Sequence, residues 1–153
     1  MIPDSIVHLL QTGVSVMVGT RDASLMPECT RAWGIRVGGT RDSVTIFLAK
    51  RIAGKTIDNL RDNGQIAVTC TRPTDHITCQ LKGHVGGMKT VTSADREVSR
   101  RWHLEFMAEL RAIGVPSALC EAWITEPDLA VEIAVAEVFD QTPGPGAGKK
   151  IDR

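Results

Sequence analysis

Alternation of residue character with a period of two recurs along much of this chain, and among regular elements that period belongs to the half-buried β-strand. Val14, Val16 and Val18 alternate with Ser15, Met17 and Gly19. After turn material around residues 21–27, a second strand is expected over residues 29–37, with Arg31, Trp33, Ile35 and Val37 on one parity. Gly38-Gly39-Thr40-Arg41-Asp42 reads as a hairpin connection, and Val44, Ile46 and Leu48 mark a third strand returning beside the second. Residues 66–71 and 76–84 make a further hairpin across Arg72-Pro73-Thr74-Asp75, and a sixth strand is expected over residues 129–139.

Two segments break this rhythm with helical spacing. Residues 55–63 form a short helix with Ile57 and Leu60 on its buried side, and Gly64 stands where a left-handed C-terminal cap is needed. Val98, Trp102, Phe106, Leu110 and Ile113 define the stripe of a longer helix. Thr92 with Asp95 resembles a capping box, and Gly114 followed by Pro116 ends the run. Six strands in hairpins with two helices make a mainly β fold, an antiparallel barrel with helices at its ends. The alternating strand–helix order of a dinucleotide-binding fold is excluded. Residues 1–141 read as one domain and residues 142–153 as a Pro- and Gly-rich extended tail.

The 153 residues carry 18 basic and 18 acidic side chains, a balance that argues against a nucleic-acid partner. No apolar run approaches the length of a membrane span, and Met1-Ile2-Pro3-Asp4 lacks the basic start of a signal peptide. Cys29, Cys70, Cys79 and Cys120 include no Cys-x-x-Cys pair, so reduced thiols and a cytoplasmic location are expected.

Several chemical motifs fail on spacing. The first glycine of a phosphate loop ending at Gly148-Lys149 would fall at Pro143, and Lys150 stands where a metal-holding Ser or Thr belongs. His76 and His84 share a strand parity but lie roughly 26 Å apart on a straight strand, too far to hold one metal ion. There is no Gly-x-Ser-x-Gly elbow and no tyrosine. One cluster fits a chemistry: Arg31 in the second strand, Lys50 and Arg51 at the end of the third, and Lys55 in the first predicted helix, into whose N-terminus the third strand runs. Cations beside free helix N–H groups are a natural receptor for a phosphate monoester, although a solvated basic loop has the same composition.

The order of strands, Arg31-Ala32-Trp33-Gly34, Phe47-Leu48-Ala49 leading to Lys55, and Asn59-Leu60-Arg61-Asp62-Asn63-Gly64-Gln65-Ile66-Ala67-Val68 resemble the pyridoxamine 5′-phosphate oxidase-like flavoproteins. Gln80-Leu81-Lys82-Gly83-His84-Val85 and Val138-Phe139-Asp140-Gln141-Thr142-Pro143 extend the resemblance over residues 12–143. It implies a six-stranded split β-barrel homodimer that binds FMN at the subunit interface and acts as an oxidoreductase on a small molecule. Arg31 and Lys55, with Arg51 beside them, would hold the phosphate. Ala32, Trp33 and Ala49 would lie along the ribityl chain and ring, and Thr78 and Gln80 would face the cofactor, from the partner subunit. No acid–base residue is implied, because the flavin carries the hydride. Ala53 stands where the family often has a phosphate-binding serine, and the tail lacks the Arg-x-His substrate motif of the vitamin B6 oxidases. Pyridoxamine phosphate oxidation is therefore not expected. F420 or haem variants of the barrel, and a non-catalytic ligand-binding protein, are the alternatives.

Overall fold

The alternating segments become strands wherever one parity meets the core. In the computed structural model, which describes residues 1–123 and 125–152, β1 (Ser15–Arg21) buries Val16, Val18 and Thr20. Ser15, Met17, Gly19 and Arg21 lie half-buried on its other face. β1 pairs antiparallel with β2 (Pro27–Arg31) on one side and β5 (Gln65–Thr71) on the other. The sheet continues through β6 (Thr78–Thr90), β7 (Leu129–Asp140), β4 (Ser43–Leu48) and β3 (Ile35–Val37). Every pairing is antiparallel, and the sheet curls into an open half-barrel around Val14, Val16, Val18, Ile46, Val68, Leu81, Val131 and Ile133.

The two edges of that sheet belong to one stretch of chain. Ala32 N–H donates to Val16 O at 3.0 Å, whereas the next residue, Trp33, donates to Phe47 O at 2.7 Å. Residues 27–37 thus leave β1 and join β4 within a single peptide unit. Gly34 makes the bend: its φ of +129° is open to glycine, and the Phe47 ring lies 3.0 Å from where a Cβ would sit.

This bend corrects the expected strand count of six. The continuous strand over residues 29–37 is two strands, β2 and β3, because the apolar parity does not betray a change of partner. The Pro- and Gly-rich end is not wholly extended either. It turns back through residues 144–149 and adds β8 (Lys150–Ile151) to the edge of β7, for eight strands among the described residues. Residue 153, the last of the expected tail, lies outside the described residues.

Among the described residues four helices close the structure. α1 (Asp4–Leu10), not expected from the sequence, buries Ile6, Leu9 and Leu10. α2 (Gly54–Asn63) ends at Gly64 in the left-handed conformation, as the sequence indicates. α3 (Ser93–Ala112) begins with a true capping box between Thr92 and Asp95 and buries Trp102, Phe106 and Leu110. Ile113 falls just beyond α3 and is exposed, so the stripe is one residue shorter than its spacing suggested. Trp102 donates its indole N–H to Val14 O at 2.8 Å, fixing α3 against the start of β1. There the backbone of Glu105 comes within 2.3 Å of where a Cβ on Gly13 would sit, so only glycine fits. α4 (Ser117–Ala122) is a short unexpected helix pinned by fully buried Cys120. Among the described residues no helix is long and apolar enough to cross a membrane.

Candidate functional site

Strand pairing carries three of the expected site residues to one face of the sheet. Arg31 pairs with Met17, Met17 with Thr69, Thr69 with Gln80, and Gln80 with Phe139. Residues directly opposite in antiparallel strands share a face, so these five form one cross-strand row on the outer side of the barrel. Three strand spacings separate Arg31 from Gln80, about 14 Å. A neighbouring row on the same face holds Ser15, Thr71 and Thr78. Thr78 Oγ1 lies 3.0 Å from Thr71 Oγ1, and Gln80 Nε2 donates to Thr69 Oγ1 at 3.0 Å.

Arg31 is the focus of this face. Its Nη1 donates to Ser15 Oγ at 3.3 Å, and its guanidinium carbon lies 4.6 Å from the centroid of the Trp123 ring and 5.6 Å from that of Phe106. Burial among these groups lowers its pKa from the ordinary arginine value, outweighing the opposite pull of Cys29. No carboxylate among the described residues pairs with it.

Two of the other cations, Lys55 and Arg51, are engaged elsewhere. Lys55, in the first turn of α2, pairs with Asp22 Oδ2 at 3.5 Å, beyond the N-terminal end of β2. Five residue positions, about 16 Å of strand, separate that point from the level of Arg31. Asp22 is held below the usual carboxylate range first by the Met26 N–H, and also by Ser24 and Lys55. Arg51 donates from Nη2 to Thr125 Oγ1 at 2.9 Å, and the Lys50 N–H donates to Asp128 Oδ1 at 2.9 Å. The N-terminus of α2 has Ala53 as its cap and no side-chain hydrogen bond there, which leaves its first N–H groups open.

The three expected ring contacts sit at the seam. Ala32 and Ala49 are buried in the core. Trp33 is also buried, its indole Nε1 has no hydrogen-bond partner among the described residues, and it forms part of the wall of a cavity of about 250 Å³ with Trp102, Arg96, Arg100 and His103. Burial, with Arg111 nearby, pushes the His103 pKa down. A larger, open groove of about 530 Å³ continues the outer face beyond the Gln80 row. Gly19 and Ala67 form its floor, and Arg21, Gln65, Lys82 and His84 stand around it.

Sequence reasoning did not single out Ser15 or Trp123. Ser15 was legible only as the outward parity of β1. Trp123 follows a helix that carries no capping side chain, so nothing local announced its place over Arg31.

No protein-family profile and no curated protein sequence matches this chain. Solved structures do. HupZ of Group A Streptococcus superposes with a TM-score of 0.61 at 19% identity, covering 97% of this chain and 100% of its own. An F420 reductase gives 0.58 at 12% identity, covering 90% and 98%. A pyridoxamine 5′-phosphate oxidase-related, FMN-binding protein from Nostoc punctiforme gives 0.54 at 12% identity, covering 93% and 84%. HutZ, the haem storage protein of Vibrio cholerae, gives 0.50 at 11% identity, covering 89% and 92%. The chain therefore has the split β-barrel fold of the pyridoxamine 5′-phosphate oxidase-like proteins. The neighbours with this fold thus include an F420 reductase, an FMN-binding protein and a haem storage protein.

Proposed function

We propose that this protein is an FMN-dependent oxidoreductase that acts as a homodimer on a small-molecule substrate in the cytoplasm. Arg31 carries the reading. A half-buried guanidinium with no carboxylate partner is costly unless an anion completes it, and a phosphate monoester supplies nearly two negative charges and three acceptor oxygens. The residues around it fit that group. Ser15, Thr71 and Thr78 offer hydroxyls on the same face, and Gln80 and the Gly19–Ala67 floor extend the surface away from the charge. We leave Lys55 and Arg51 out of the phosphate contacts: Lys55 pairs with Asp22 about 16 Å of strand away from Arg31, beyond the reach of its side chain, and Arg51 is bonded to Thr125. Bound FMN supplies hydride transfer, and the chain's own part is to bind and orient it. The half-buried outer face is where we place the partner subunit, which would complete the site.

Titration of apo-protein with FMN and riboflavin tests this directly. Arg31→Ala should weaken FMN about 10- to 150-fold, the worth of one charge-assisted hydrogen bond, and leave riboflavin nearly unchanged. Equal losses would make Arg31 a structural residue, and a wild-type protein that binds neither flavin would sink the assignment.

A second reading has its own observation. His84 stands beside the open groove with Arg21 and Lys82, an imidazole next to cations that would suit an iron porphyrin and its propionates. An absorption spectrum of the purified protein separates oxidised flavin, F420 and haem. A colourless protein that takes up none of them leaves the non-catalytic binding protein.

A further inference from the structure

We propose that Trp123 is a positioning residue for phosphate recognition, one that sets the preference for FMN over unphosphorylated flavin; this rests on the flavin reading above. Trp123 is 45% exposed, an unusual place for an indole unless it covers something. What it covers is Arg31, with the guanidinium carbon 4.6 Å from its ring centroid. Phe106 touches the same cation at 5.6 Å, and the two rings stand 6.2 Å apart at 43°.

Each aromatic is held from behind. Phe106 is buried and stacks on Trp102 at 5.2 Å with an interplanar angle of 13°. Trp123 follows α4 directly, its N–H donating to Cys120 O at 3.2 Å, and the Cys120 side chain is fully buried. The short helix is thus a bracket that carries one indole to one arginine.

The chemistry follows from the shape of a guanidinium. A cation–π contact draws the charge over the ring face and occupies no acceptor atom, whereas the five N–H donors of a guanidinium need acceptors. Among the described residues Ser15 is the one hydrogen-bond partner of those donors. The two ring contacts therefore hold the guanidinium in place through its charge, without an acceptor atom that would compete with a phosphate for its N–H donors. It also limits the rotamer freedom that an arginine otherwise loses when it binds an anion. A flavin without phosphate gains nothing from this arrangement.

The test compares FMN and riboflavin binding, by flavin fluorescence, to wild type, Trp123→Ala and Trp123→Phe. Trp123→Ala should weaken FMN about 3- to 10-fold, with riboflavin unchanged, and Trp123→Phe should restore most of the loss. Melting temperatures of both variants accompany the titrations. An unchanged FMN-to-riboflavin ratio in Trp123→Ala overturns the positioning role while the flavin reading stands. Equal losses for both ligands also overturn it, since Trp123 would then only support the fold. Wild type that binds neither flavin removes the flavin reading itself, and this inference with it.

Discussion

Arg36, on β3, donates from Nη1 to Asp95 Oδ1 at 2.6 Å and so ties the seam of the barrel to the first turn of α3. The same carboxylate accepts the Thr92 N–H at 2.9 Å and the Thr92 hydroxyl at 2.8 Å. Burial alone would raise the Asp95 pKa. The Thr92 backbone and hydroxyl donors and the Arg36 cation outweigh it and bring the pKa down to about 2.

Stability should follow that titration. The folded pKa lies below the unfolded one, so the contribution is fully present above about pH 4 and is lost as pH falls towards 2. It amounts to about 2 kcal/mol. Asp95→Asn should melt well below wild type at pH 7, and the gap should close between pH 4 and pH 2. A gap that stays constant over that range would disprove the linkage.

At Gly13 the expected outcome is steric. The backbone of Glu105 occupies the space of any Cβ, so Gly13→Ala must push α3 off the start of β1. A cost of about 1–3 kcal/mol is expected from such overpacking, read as a lower midpoint in urea.

Phe106→Ala should cost about 3–5 kcal/mol, because the ring is buried and stacked on Trp102. A melting point within a degree of wild type would mean that α3 does not pack as described.

For Lys55, freeing the side chain is more informative than removing it. Asp22→Asn takes away its carboxylate partner, but Lys55 stands about 16 Å of strand from Arg31, so FMN affinity should change by less than about twofold and riboflavin should not respond. FMN binding that tightens severalfold in this variant would bring Lys55 into the phosphate site.

Assembly is open to sedimentation. A species of twice the 16.6 kDa chain at micromolar concentration is the expected result, and a monomer there would remove the shared site.

Much of this fold could be read from residue order. Val14, Val16 and Val18, then Val44, Ile46 and Leu48, sit in strands because a period of two leaves few other solutions once one parity is buried. Gly64 and the Thr92–Asp95 box end and begin their helices because those residues act locally. The break at Gly34 was hidden, since Arg31, Trp33 and Ile35 keep alternating while the chain changes partner. α1 and α4 were hidden as well: both begin at a proline with no side-chain cap, and packing alone holds them. In the site, Arg31, Thr78 and Gln80 come to one face because parity and register put them there. The pairing of Lys55 with Asp22 and the cover of Trp123 over Arg31 depend on long-range packing, which spacing in a sequence does not encode.

Because residues 27–37 serve both rims of the sheet, the barrel is held shut by a covalent thread as well as by hydrogen bonds. A permuted chain with new termini at Gly34 would retain every strand pairing and both flanking hairpins, yet its two rims would become separate ends, free to part. Closure, which the natural chain obtains from connectivity, would then have to come from Trp33, Phe47 and α3 alone.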